Sequence, residues 1–188
     1  MPCRPALALV AWAAIATPAR ASGDEAPFGL SWGPVDRIAP PSMVDRDANL
    51  TGLFYFNDRP LASGGDTAQI ILVVCRDLGL HQLVWFGRPL GDVAAASAWE
   101  AMRREGVQRH GKPRLGPAAN ALEWPEARIT LATRMGHDGT CMLVMTVSGP
   151  RFAAYSAVHR GATGHPAEDH VTDLLGEEGP PAGHHTPP

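Results

Sequence analysis

The sequence predicts an α+β protein: a mainly antiparallel sheet of about five strands packed on one long helix, with short flanking helices. Two observations lead to this prediction. Short apolar segments follow one another through glycine-containing turns, which is typical of hairpins rather than of a doubly wound α/β fold. In addition, residues 93–110 contain no proline and are followed by glycine and proline, which indicates a long helix with a defined end.

The amino terminus has the features of an export signal in the expected order. Arg4 and the free amine give a positive start, residues 6–16 form an uninterrupted apolar run, and residues 19–21 match the small-x-small cleavage pattern. The run is shorter than the roughly 20 residues that a membrane span needs. We therefore expect residues 1–21 to be a signal peptide, cleaved after Ala21, and the protein to be periplasmic or secreted with no membrane span. A buried N-terminal helix is the alternative.

A single α+β domain is predicted for residues 22–160, followed by a polar tail. Residues 161–188 are rich in Gly, Pro and His, so they cannot bury enough apolar surface to offset the entropy lost on ordering, and we expect disorder there. The whole chain has a formal net charge of −3, and its only lysine is Lys112. Nucleic-acid binding is disfavoured, because phosphate neutralisation needs clustered Lys and Arg.

The first half of the domain predicts one helical turn and three strands. Pro34 suits the first position of a short helix, which the Pro40-Pro41 pair would end. Three apolar segments rich in β-branched and aromatic residues are predicted as strands: 50–56, 69–75 and 80–86. The last two form a hairpin through Gly79, and both faces of the last are apolar, which predicts a central strand covered by a helix.

The long helix is predicted from residue 93 to residue 110. Asp92 is a suitable N-cap, and Gly111 can take the positive φ that ends a helix. Apolar residues form one stripe along it: Val93, Ala96, Trp99, Met102 and Val107. Two i,i+4 pairs stabilise the opposite side by ~0.3 kcal/mol each: Glu100 with Arg104, and Glu105 with Arg109.

The remaining elements are a second hairpin and a short final helix. Residues 128–133 and 140–147 are predicted as strands around the polar turn 136–139, and residues 112–126 as a loop anchored by Trp124. After Gly149-Pro150, three side chains recur at helical spacing and predict a helical face: Phe152, Tyr155 and Val158. A last strand is the alternative there.

Four motifs carry a resemblance to known proteins. They are F-G-L-S-W-G from Phe28, C-R-D-L-G-L-H-Q-L-V-W from Cys75, H-G-K-P from His110, and Trp124 before the second hairpin. Over roughly residues 28–147 the chain resembles small exported bacterial proteins of uncharacterised function with an F-G-x-x-W-G start. In architecture it is also similar to the helix-plus-sheet modules of periplasmic inhibitor and envelope-assembly proteins. These motifs belong to a fold rather than to a catalytic site.

Cleavage of the leader removes Cys3 and leaves Cys75 and Cys141, both in apolar strand segments. An exported protein meets an oxidising compartment, where paired cysteines usually bridge. A disulfide that closes the loop between positions 75 and 141 would stabilise the fold by about 4 kcal/mol in the chain-entropy model. Neither cysteine has a CxxC partner or a catalytic frame. We therefore predict a Cys75–Cys141 disulfide; two free buried thiols, or a nucleophilic thiol, are the alternatives.

No motif predicts a catalytic residue, a metal ligand or a cofactor site. The serine-hydrolase elbow and the phosphate loop are missing, and four of the eight histidines lie in the predicted tail, which lacks the rigid frame of a metal site. Trp85 and Trp99 would mark a ligand surface between the long helix and the sheet if both are exposed. Anchors in the core are the simpler interpretation of these rings.

These observations favour an exported, non-catalytic domain that binds a protein or a small ligand in the cell envelope. One alternative is a hydrolase-like enzyme with an unrecognised site in which His81 or His137 is the general base. The other alternative is a structural component of the envelope.

Overall fold

The structure is a computed structural model, and it describes residues 25–35, 38–61, 66–116, 118, 120–136 and 138–165. The predicted signal peptide and most of the predicted tail lie outside the described residues. A small sheet pairs β1 (Glu25–Ala26) with β2 (Leu30–Ser31) around a 3-10 turn at Pro27–Gly29.

The main sheet has eight strands in the order β3-β4-β5-β6-β10-β9-β8-β7, and every neighbouring pair is antiparallel. The strands are β3 (Met43–Asp47), β4 (Leu50–Tyr55), β5 (Thr67–Cys75), β6 (Gly79–Gly87), β7 (Arg114–Leu115), β8 (Ala121–Trp124), β9 (Ile129–Met135) and β10 (Cys141–Ser148). Two four-stranded meanders thus lie side by side, and their last strands, β6 and β10, meet in the middle. Helix α1 (Asp92–His110) connects the meanders, and α2 (Phe152–Thr163) follows the second.

The prediction of about five strands packed on one long helix with short flanking helices is wrong. Strands β7 and β8 lie in the segment predicted as a loop, and β3 lies where the sequence predicts no strand. All five residues of β3 are exposed, and its sequence M-V-D-R-D does not show the apolar alternation by which a half-buried strand is recognised. No helix is found at Pro34 among the described residues of that segment. Helices and strands are both present, so the broad α+β description is still compatible with the structure.

Each face of the main sheet carries its own core, because neighbouring side chains along a strand point to opposite faces. On one face, Leu72 and Leu83 pack in a cluster with Met102 of α1, and we call it the α1 face. On the other, Ile71 and Val84 pack in a cluster with Tyr155 of α2, and we call it the α2 face. All nine residues of β6 are buried, which confirms the predicted central strand.

Helix α1 confirms the predicted long helix but presents a different face. It ends at Gly111 (φ 79°), whose N–H donates to the Val107 carbonyl. Glu105 pairs with Arg109 as predicted, whereas Glu100 pairs with Arg103 instead of Arg104. Three residues of α1 are buried: Ala95, Met102 and Gly106. The buried face differs from the predicted stripe because the Trp124 ring packs directly against Gly106, so closely that a Cβ at this position would overlap the ring. Val93, at the start of the predicted stripe, is 87% exposed.

The predicted short final helix is confirmed as α2, which extends three residues beyond the predicted domain end at residue 160. Its buried side chains are Tyr155, Ser156 and His159, whereas Val158 is 45% exposed. The predicted apolar face therefore includes only one fully buried residue, because Tyr155 and His159 of α2 find polar partners in the turns between strands.

Candidate functional site

The predicted ligand surface at Trp85 and Trp99 is occupied by the core of the α1 face. Trp85 is only 5% exposed, and its indole Nε1 donates to Thr67 Oγ1 at 2.9 Å. Trp99 is half-buried against the same cluster. These two rings act as anchors between α1 and the sheet rather than as walls of an open groove.

The predicted Cys75–Cys141 disulfide is not formed: both cysteines are free, buried thiols. Cys75 lies opposite Gly79 at one end of β6. Cys141 forms an isolated antiparallel backbone pair with Leu90, which lies beyond the other end of β6. At about 3.3 Å per residue, this register separates the two by roughly 30 Å. A disulfide needs Cα atoms within about 7 Å of each other, so the fold excludes this bridge.

A buried polar cluster lies under α2, and sequence reasoning did not assemble it. His159 Nδ1 is 2.9 Å from Asn49 Oδ1, and the Asn49 amide donates to Cys75 Sγ at 3.6 Å. Tyr155 donates its hydroxyl to the Leu78 carbonyl at 2.7 Å, and burial raises the pKa of Tyr155. The ring of His81 lies 4.6 Å from the Tyr155 ring. We call these residues the α2 cluster.

A β-bulge explains why His81 belongs to this cluster. The register pairs Val74 with Leu80 and Val73 with Gln82, so His81 is the extra residue of β6. Bulges redirect side chains in this way. The sequence predicts one continuous strand over residues 80–86 and gives no sign of the bulge.

The α2 cluster does not have the geometry of a thiol enzyme. A nucleophilic thiol needs a base in direct contact, whereas here the neutral amide of Asn49 lies between Cys75 and His159. Cys75 and His81 are each fully buried, so neither reaches a substrate in this arrangement. His137, the other candidate base, lies outside the described residues.

An open pocket of about 360 Å³ lies on the α1 face near the β3 edge of the sheet. Its floor is formed by side chains of three neighbouring strands, Arg46 of β3, Thr51, Leu53 and Tyr55 of β4, and Val74 of β5. Its wall is formed by Val35 and residues 38–41. We call it the β3–β5 pocket.

Local hydrogen bonds hold the wall of this pocket above the sheet. Tyr55 is buried and donates its hydroxyl to the Ala39 carbonyl at 2.9 Å, and burial raises the pKa of Tyr55. Arg59 donates to the Pro41 carbonyl at 3.3 Å. The Pro40-Pro41 pair has no N–H groups to satisfy and favours extended backbone, so this segment crosses the sheet face without joining the sheet.

Two of the three polar side chains that line the β3–β5 pocket lie at one end, whereas the Tyr55 hydroxyl, at the other end, already donates to the Ala39 carbonyl. Arg46 and Thr51 are directly opposite each other on β3 and β4, and Val74 is opposite Thr51 on β5. Arg46 is the only charged residue among the described residues that line the pocket. Asp45 and Asp47 point to the opposite face of the sheet, because they alternate with Arg46 along β3.

A smaller cleft of about 230 Å³ lies between the Trp32 segment and the start of α2. Trp32 packs so closely on Gly149 that a Cβ there would lie 2.8 Å from the ring. Arg151 is exposed at the rim of the cleft. The smaller volume and the tight glycine contact make this cleft a weaker candidate for a ligand than the β3–β5 pocket.

Comparisons of the chain with protein-family models, with curated proteins and with solved structures found no match. The resemblance to small exported bacterial proteins therefore stays a prediction. Within the described part of the chain, no group of three or more His, Cys, Asp or Glu is placed to hold a metal ion. No helix in that part has the length and apolar character needed to cross a membrane.

Proposed function

We propose that the protein is an exported, non-catalytic domain that binds a small ligand in the cell envelope, with the β3–β5 pocket as the binding site. The observation that carries this proposal is the composition of the pocket: mainly apolar walls with a few polar groups at one end, which is typical of small-ligand sites. Its volume of about 360 Å³ lies within the usual range for such sites, about 300–1,000 Å³. Export is inferred from the leader sequence.

The chemistry of the lining favours binding over catalysis. The Tyr55 hydroxyl already donates to a backbone carbonyl, and the Arg46 guanidinium has hydrogen-bond donors but no acceptor. Thr51 has no neighbouring base among the described residues that line the pocket. These groups orient a ligand but do not form a nucleophile–base pair.

The test is titration of the exported protein with the neutral dye N-phenylnaphthylamine, whose fluorescence rises in apolar surroundings. We expect saturable binding that is weakened about tenfold or more by Leu53→Gln, because this change removes apolar contact on the pocket floor at nearly constant volume. The matched control is Leu115→Gln, since Leu115 is 84% exposed on β7 at the far edge of the sheet. Absence of saturable binding, or equal effects of the two substitutions, would contradict the proposal.

A further inference from the structure

We infer that the β3–β5 pocket selects a single-chain amphiphile with a carboxylate head, with Arg46 and Thr51 binding the head and the apolar floor holding the chain. The inference rests on the proposed function, because it names the class of ligand for the same pocket. It is carried by the order of the side chains across the three strands.

The register arranges the pocket floor in successive rows. The first row is Arg46, Thr51 and Val74; in the next row Leu53 lies opposite Val44, and Tyr55 follows two residues further along β4. At about 3.3 Å per residue, the first row and Tyr55 are separated by roughly 13 Å. Because the Tyr55 hydroxyl is already bonded to the Ala39 carbonyl, the floor offers polar groups to a ligand at the Arg46 end and apolar surface beyond it, which matches a ligand with one polar head and one apolar chain.

The charge at the polar end specifies an anion. Arg46 is exposed and forms no ion pair with any of the described residues. Thr51 is half-buried, and as directly opposite residues on antiparallel strands the two have Cβ atoms about 4.5–5.5 Å apart. A guanidinium fork and a hydroxyl at this spacing provide donors for both oxygens of one carboxylate.

The apolar end specifies a single chain. Leu53 and Val74 are half-buried on the floor, and Val35 and Ile38 face them from the wall. A volume of about 360 Å³ is near the lower limit for drug-sized ligands, which suits one alkyl chain of medium length. The free, monomeric amphiphile is therefore the ligand that we propose, rather than a lipid within a bilayer.

The experiment compares three probes with the same chain and different heads: decanoate, decanol and decyltrimethylammonium. Each is titrated into the exported protein below its micelle concentration, with binding followed by calorimetry and by NMR shifts of the Thr51 and Leu53 amides. We expect decanoate to bind about tenfold more tightly than decanol, because a charge-assisted hydrogen bond is gained. The cationic probe should bind most weakly.

Two substitutions connect this preference to the proposed head site. Arg46→Gln should lower the affinity for decanoate to that for decanol and leave decanol binding unchanged, and Thr51→Val should lower decanoate affinity about threefold. The matched control is Arg88→Gln, an exposed arginine after the end of β6, which should change neither affinity.

The outcomes separate the two proposals. Equal binding of decanoate and decanol, or a preference for the cationic probe, would overturn the carboxylate inference and leave the binding pocket in place. Loss of decanol binding in Arg46→Gln would also overturn it, since Arg46 would then act through the fold. If none of the probes binds and N-phenylnaphthylamine does not bind either, both proposals fail.

Discussion

Replacement of Gly79 by alanine should destabilise the protein far more than the same change in another hairpin. Gly79 has φ 83° and begins β6, and a Cβ at this position would overlap the carbonyl of Gly33. That carbonyl accepts the Leu80 N–H at 2.6 Å, and the Gly33 N–H donates to the Leu80 carbonyl at 3.0 Å. The added methyl therefore displaces backbone, which cannot rotate away as a flexible side chain can.

Gly139 is the matched control for this prediction. It has φ 77°, and no atom lies within 4 Å of the position that a Cβ would take, so alanine there meets only the penalty of the left-handed conformation. That penalty is about 1–2 kcal/mol and is shared by both substitutions. Gly79→Ala also disrupts two backbone hydrogen bonds, worth about 0.5–1.5 kcal/mol each. We expect Gly79→Ala to lower the free energy of unfolding by about 1–3 kcal/mol more than Gly139→Ala.

Urea unfolding followed by tryptophan fluorescence measures this difference, provided that the slope of the free energy against urea is the same for both variants. Equal destabilisation by the two substitutions would refute the reasoning, because it would mean that the Gly33 segment is not packed against β6. The result matters for the candidate site as well, since Gly33 and Pro34 lead directly into Val35, which forms part of the pocket wall.

Three further predictions concern the turn before β4, the buried tyrosines and the thiols. Ala48 has φ 47°, so Ala48→Gly should stabilise the protein by about 0.5–1 kcal/mol in urea unfolding; a loss of stability would contradict the turn geometry. Burial raises the pKa of Tyr55 and Tyr155 above the ordinary 10.0, so the neutral forms stabilise the fold below that value. Stability should then fall as the pH rises through the raised values, and the urea midpoint between about pH 9 and pH 11 should fall less steeply in Tyr155→Phe. Cys75 and Cys141 should resist alkylation until the protein unfolds, and a linked peptide in a non-reducing digest would contradict the sheet register.

The central elements of the fold could be predicted from the sequence because local signals are strong there. The hairpin of β5 and β6 is apolar on both faces and turns at Gly79, and α1 is bounded by Gly91 and Gly111. At the edges of the sheet the local signal is absent. β3 is fully exposed and β7 has only two residues, so their strand conformation depends on pairing with β4 and β8 rather than on burial of their own side chains.

The candidate site depends almost wholly on register, which the sequence does not show. Arg46, Thr51 and Val74 come from three strands, and only the pairing places them in one row. The same limitation applies to the cysteines: two thiols in apolar strands suggest a bridge, but the pairing places them at opposite ends of β6. The Pro40-Pro41 pair was the available signal for the pocket, because it indicates an extended segment rather than a helix.

The two-residue turn between β3 and β4 contacts residues on the α2 face and also fixes which side chains of β3 face the pocket on the α1 face. Asp47 pairs with Leu50, so Ala48 and Asn49 form the loop, and the Asn49 carbonyl accepts the N–H of Arg76 at 2.8 Å. The unfavourable φ of Ala48 is maintained because Asn49 is held by Cys75 and His159 on the α2 face. A shift of one residue in this hairpin would reverse every side chain of β3. The α2 cluster therefore stabilises the register that directs Arg46 into the pocket on the opposite face, so this buried cluster helps to set the geometry of the proposed binding site.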